Sequence, residues 1–245
     1  MENYIYTQYQ NYKRFMHEFD LPNINPIMIT DNNILAYIDS DNATNPIVPL
    51  YVSDILFSYN DQYIKSILFH EFTHIYDANI TFKEIIDNEN LISAINAYTE
   101  YHASQIEILS NIGYNSIFKK NKFNINAKIY YKNEMMDIEH YLVYPLSDAT
   151  LILNKERYAY INLSNDEYNL KYVRAAKNIW YYLGKYNICE IYANRQPCNM
   201  FFEFGIFEND IKKIYIALKA MNFEQIQKEI KNYTTHYMTY FKFSI

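Results

Sequence analysis

Glycine is nearly absent from this chain: Gly113, Gly184 and Gly205 are the only three in 245 residues. With so few positions able to take left-handed turns without strain, a mostly helical fold is expected, with asparagine serving in loops and at helix ends. Cysteine is scarcer still, at Cys189 and Cys198 only. Two such residues exclude a disulfide framework and a C-x-x-C metal site and fit a reducing compartment, with one local disulfide left open should the chain be exported. No run approaches the roughly 20 apolar residues that span a bilayer, and the longest candidate, Tyr141 to Leu153, carries Asp148. The opening residues Met1 to Tyr6 lack the basic start and apolar core of a secretion signal, so a cytoplasmic protein is expected. An excess of positive charge is missing too. A net charge of −6 and a pI near 5.5 argue against general affinity for nucleic acid, and Lys119, Lys120 and Lys122 read as a solvated loop.

What the chain does have is a large apolar fraction, 50% of its residues, and 28 tyrosines. It can therefore bury a substantial core, and one domain over residues 1–245 is expected, α+β in class and predominantly helical. Within it, about 25–112 reads as a small sheet with two helices and about 133–245 as a helical half. The abundance of Asn, Ile, Lys and Tyr fits an AT-rich bacterial or phage genome.

Histidine is rare, six in all, yet two of them stand four residues apart in His70-Glu71-Phe72-Thr73-His74. Asn60 or Asp61 can cap a helix there, and Ile64, Ile67, Leu68 and Ile75 recur at helical spacing, so a helix is expected from about Asp61 to Asn79. A helix turns about 100° per residue, which stacks His70 and His74 on one side, where both imidazoles can grip one metal ion. Zn²⁺ suits such nitrogen donors at about 2.0–2.1 Å and lowers the pKa of bound water toward about 7. Glu71 lies on the flank of that face. From there it can take a proton as general base.

A catalytic zinc site needs a third protein ligand. Leu91 to Leu109, free of Gly and Pro and closed by Gly113, reads as a second long helix. Along it Ser93, Asn96, Glu100, Ser104, Glu107 and Asn111 form one polar stripe. Glu100 is the expected third ligand, 26 residues after His74; Glu107, two turns on, is the alternative.

These residues resemble the zincin metallopeptidases, in the branch where a glutamate on a downstream helix completes the zinc site. Within it the layout is similar to the compact ImmA/IrrE-type peptidases. The resemblance covers about residues 25–112 and implies a Zn²⁺-dependent endopeptidase acting on a protein or peptide, with His70, His74 and Glu100 as ligands and Glu71 as base. Thermolysin-like members orient a ligand histidine with an aspartate four residues after the ligand glutamate. Ser104 stands at that place here, and Asp77 is a possible substitute. The clostridial neurotoxin light chains place their glutamate further from the motif, which would favour Glu107, and carry an arginine and a tyrosine three residues apart, a spacing matched by Arg157 and Tyr160. Peptide deformylase shares the motif but takes an upstream cysteine as ligand, whereas both cysteines here lie downstream. The alternatives left open are a zincin-like binding module without catalysis and an effector protease of a toxin or mobile element with one host target.

Three strands are expected before the motif helix, Pro26 to Thr30 turning into Ile34 to Asp39 as a hairpin, and Pro46 to Ser53, whose end Leu50 to Ser53 matches the zincin edge strand that binds substrate backbone. Residues 114–132 read as a hairpin or an irregular excursion. Helical patterns follow over Glu134 to Tyr160, interrupted at Pro145, then Glu167 to Leu183, Ile188 to Asn194, Asp210 to Asn222 and Glu224 to Tyr237. The aromatic pairs Tyr181-Tyr182, Phe201-Phe202 and Tyr240-Phe241 are expected in the core. Zincin chemistry also uses a donor to the developing oxyanion. His140 is ranked first for that role, with Tyr141 and Tyr144 on the same segment.

Overall fold

The computed structural model describes residues 1–31, 34–118, 121–155, 165–197 and 201–242. Helix α1 (Glu2–Met16) goes beyond the expected elements. Ile5, Tyr9, Tyr12, Phe15 and Met16 recur on one side of it and are all buried. Three strands follow, β1 (Asn23–Ile29), β2 (Ala36–Ile38) and β3 (Ile47–Ser53), in the sheet order β1-β3-β2. β1 runs parallel to β3 and β2 antiparallel to it.

This order corrects two expectations. The first two strands do not form a hairpin, because β3 lies between them. Leu50 to Ser53 is central rather than an edge, and β1 and β2 form the two edges. Val48, Leu50 and Val52 are fully enclosed on the sheet face that meets the core, and β3 is paired on both sides, with β1 and with β2. Pro49 is tolerated because β2 pairing stops at Leu50, so the missing N–H costs no ladder bond to β2.

The motif helix α2 (Asp61–Tyr76) starts where Asn60 accepts a hydrogen bond from the Gln62 N–H at 2.9 Å. It ends in a π-turn over Asp77–Thr81. Its back face, Phe69, Phe72 and Thr73, packs on α1, where Tyr12 meets Phe69 and Phe72 at ring distances of 5.3 and 5.6 Å and its hydroxyl reaches Thr73 Oγ1 at 3.2 Å. Helix α3 (Ile92–Asn111) returns beside α2 and stops before Gly113, whose φ of 95° only glycine takes cheaply.

The excursion after α3 leads to the hairpin β4 (Lys128–Tyr131) and β5 (Glu134–Asp137), so Glu134 opens a strand instead of a helix. Asn111 Nδ2 donates to Tyr130 O at 2.9 Å, which ties this hairpin to the end of α3. Helix α4 (Ile138–Lys155) continues through Pro145 instead of breaking there. Helix α5 (Asn165–Tyr192) is one element where two were expected, and it passes straight through Gly184. Helices α6 (Glu208–Lys219) and α7 (Phe223–Lys242) complete an α+β, predominantly helical fold, as the composition implies.

Gly184 explains how α5 reaches the site. A Cβ there would lie 2.1 Å from Tyr101 O and 3.0 Å from Ser104 Cβ, so only glycine lets α5 press against α3. Ser104 has no room to act as a remote aspartate would; it is the small residue under that contact. Core residues from α1 through α7 join in one buried cluster. Among the described residues no helix is long and apolar enough to cross a membrane. Lys119, Lys120, Arg157, Tyr160 and Cys198 lie outside the described residues. Cys189 is buried, and burial pushes its thiol up to about 12, so it carries no reactive thiolate.

Candidate metal centre

Helical spacing brings His70 and His74 together as expected, with ring centroids 5.1 Å apart. Each imidazole is held from behind. His70 Nδ1 lies 3.0 Å from Glu107 Oε2, and His74 Nδ1 lies 2.9 Å from Thr99 Oγ1. With the protons assigned to those Nδ1 atoms, both Nε2 atoms are left to face forward. They converge on one oxygen. Glu100 Oε2 stands 3.4 Å from His70 Nε2 and 3.7 Å from His74 Nε2, is buried, and has no hydrogen-bond partner. These separations are long for hydrogen bonds but fit ligands across an ion, since donors about 2.05 Å from a tetrahedral centre sit about 3.3 Å apart. The other oxygen, Oε1, is occupied by Lys177 Nζ at 2.8 Å, leaving Oε2 alone to serve a cation.

Ligand atoms of His70, Glu71 and His74 also fall within 4.8 Å of one another, and this group can hold a metal ion. Two carboxylates thus compete for the third position. Glu100 presents its free oxygen to both Nε2 atoms and its charge is held firmly, whereas among the described residues the group whose ligand atoms all lie within 4.8 Å of one another is His70, Glu71 and His74. Burial alone would raise the Glu100 pKa, but His74, His70 and Lys177 pull it far below the usual carboxylate range. Glu71 behaves differently: burial dominates and pushes it up to about 7. A carboxyl poised near neutrality suits proton transfer better than permanent ligation.

The remaining electrostatics follow from burial and charge. Burial tends to lower His70, but the carboxylates of Glu100, 3.4 Å away, and Glu107, 3.0 Å away, overcome it and raise the imidazole to about 9. His74 has no such pair of partners, and burial lowers it to about 4. Glu107 is buried as well, and Lys185 at 2.9 Å, His70 and the Tyr141 hydroxyl hold it ionised against that burial. Glu107 is therefore the group that orients His70, and its free oxygens are already used.

Several expectations are resolved by position. Asp77 does not orient His74; its Oδ1 accepts from Thr81 and pairs with His102 Nδ1, each at 2.8 Å. His102 faces away from Glu100, as two residues of helix imply. His140 is exposed on α4, 3.4 Å from Asp137. Tyr144 and Tyr141 line a cavity of about 260 Å³ that also touches His70 and Glu71. Tyr182 and Phe201 are buried as expected. Tyr181 instead turns to the site, its ring edge-on to His70 at 5.2 Å.

Sequence reasoning missed Thr99, Lys177, Tyr181 and Lys185. Lys177, Tyr181 and Lys185 recur every four residues on α5, which is a signal of one shared face. Comparison with protein-family models, curated proteins and solved structures finds no match to this chain.

Proposed function

We propose that this chain is a zinc-dependent metalloendopeptidase, zincin-like in its site and similar in layout to ImmA/IrrE-type peptidases. The observation that carries the reading is the buried, unpartnered Glu100 Oε2 facing both histidine Nε2 atoms. Two imidazoles and one carboxylate form a borderline donor set suited to Zn²⁺. A zinc ion held by His70, His74 and Glu100 would supply Lewis acidity and lower the pKa of water toward about 7.

The chain's own residues do the rest. Glu71 takes the proton of the attacking water as the new C–O bond forms at the peptide carbonyl. It returns that proton to the amide nitrogen as the C–N bond breaks, leaving a carboxylate and an amine. Tyr181 is kept protonated, since burial, the charges of Glu100, Glu71 and Glu107 and a hydrogen bond to Glu100 raise its pKa well above the ordinary value, and its hydroxyl would turn from Glu100 to donate to a developing oxyanion. It takes the role first considered for His140. Among the described residues no further strand pairs with the outer side of β2 beside the site, where an extended peptide can add as a strand.

One observation favours a second reading, the zincin-like binding module. His70 is flanked by Glu100 at 3.4 Å and Glu107 at 3.0 Å, a network that needs no ion for charge balance. Metal content separates the two. The purified protein should hold about one zinc per chain, most of it lost in His70→Ala, His74→Ala and Glu100→Ala. Glu107→Ala should keep the ion and weaken it by about 10–100-fold, the cost of losing a group that orients a ligand. Zinc-free wild type after growth and refolding with zinc, or full zinc in Glu100→Ala, would overturn the assignment.

A further inference from the structure

We propose that the cavity beside Glu71 is the pocket that selects the substrate, and that it takes a bulky uncharged side chain, aromatic in preference to aliphatic. This rests on the peptidase reading of the metal centre. The cavity, about 260 Å³, touches His70 and Glu71 on one side and Leu35 and Ala36 at the start of β2 on another. A peptide paired along β2 with a carbonyl at the metal centre alternates its side chains across the strand, so one of them falls into this space.

The walls decide what fits. Tyr63 from α2, Tyr131 from β4, Tyr141 and Tyr144 from α4 and Tyr181 from α5 surround the cavity. Their rings already meet edge-on or tilted, Tyr63 with Tyr131 at 5.5 Å and Tyr131 with Tyr144 at 4.8 Å. An incoming ring extends that packing, with gains beyond area burial alone.

Charge is present in the lining but is not on offer. Lys185 and Glu107 are both buried and paired at 2.9 Å, Tyr141 donates its hydroxyl to Glu107, and the Lys185 ammonium sits 4.0 Å over the Tyr141 ring. Lys185 and Glu107 therefore offer no free counter-charge to an entering carboxylate or ammonium, which would lose its water, and His70 and Glu71 in the same lining are committed to the metal and to the reacting water. Asn178 adds only a neutral amide. A phenolic tip is therefore tolerated, whereas a full charge is rejected.

The test uses the full-length, zinc-loaded protein and dipeptide hydroxamates that differ in one side chain at a time: benzyl, methyl, carboxymethyl or aminobutyl. Binding is measured by calorimetry. The benzyl compound should bind at least 10-fold tighter than the other three at one of the two positions. Tyr131→Ala and Tyr144→Ala, both at partly open positions, should reduce that preference to under 3-fold while leaving the methyl compound's affinity within 2-fold. Equal affinities at both positions, a preference for either charged side chain, or equal losses for benzyl and methyl in the tyrosine variants would overturn the pocket assignment. Acetohydroxamate keeps the two readings apart. If it binds and the side chains make no difference, the pocket alone fails; if it does not bind, the metal site fails and takes the pocket with it.

Discussion

His70 and His74 share a helix face and a chemical type, yet their surroundings drive their protons in opposite directions. Two carboxylates lift His70 to about 9, and burial lowers His74 to about 4. At pH 8 the metal-free protein therefore carries a proton on His70 that a metal must displace, because only neutral imidazole ligates. Zinc binding at pH 8 should release about one proton from His70 in addition to the proton given up by zinc-bound water, and the His70 share should fall toward none as pH passes about 9; calorimetry in buffers of different ionisation enthalpy reads the total directly. The stability consequence has the same origin. His70 has a folded pKa raised above its unfolded value of about 6.5, so its contribution to the metal-free fold is complete below that pH and is lost as pH rises through about 9. Thermal unfolding should show the metal-free protein weakening over that window while the zinc-loaded protein holds. A metal-free melting temperature that stays flat or rises across it would contradict the charged state assigned to His70.

At the scale of elements, the site is a product of three helices and one glycine. Helix α2 supplies the histidines and Glu71, α3 supplies Thr99, Glu100 and Glu107, and α5 adds Lys177, Tyr181 and Lys185 only because Gly184 allows its backbone onto Tyr101 and Ser104. Gly184→Ala must push α5 outward, since the obstructing atom is a backbone carbonyl. Overpacking of this kind costs about 1–3 kcal/mol. The variant should unfold at lower urea than wild type, as Lys177 and Lys185 retreat from Glu100 and Glu107. An unchanged urea midpoint would show that the close approach is not real.

For the molecule as a whole, what could be read from sequence was what depends on nearby residues. The i, i+4 histidines, the flanking Glu71 and the Asn60 cap are local, and the polar stripe on α3 offered Glu100 and Glu107 alike, with Glu100 preferred for its 26-residue distance from His74. Tertiary neighbours were not readable in the same way. Alternating apolar residues marked three strands without fixing their order, so the edges fell to β1 and β2 rather than Leu50 to Ser53. Thr99, Lys177 and Tyr181 became part of the site only through packing between distant helices. His140 carried the right chemistry but lies on the exposed side of α4.

Glu71 is the residue on which enzyme and binding module part company, since it moves protons in one and is dispensable in the other. The most direct measurement compares wild type with Glu71→Gln, both loaded with zinc, by counting new protein termini by mass spectrometry after exposure to a proteome of the natural host. The expected result is equal zinc content and an intact fold in both, with cleavage reduced by at least about 10²–10⁴-fold in the variant, the range for loss of a general base. Equal cleavage by the two proteins, or none by zinc-loaded wild type, would contradict a metallopeptidase driven by Glu71.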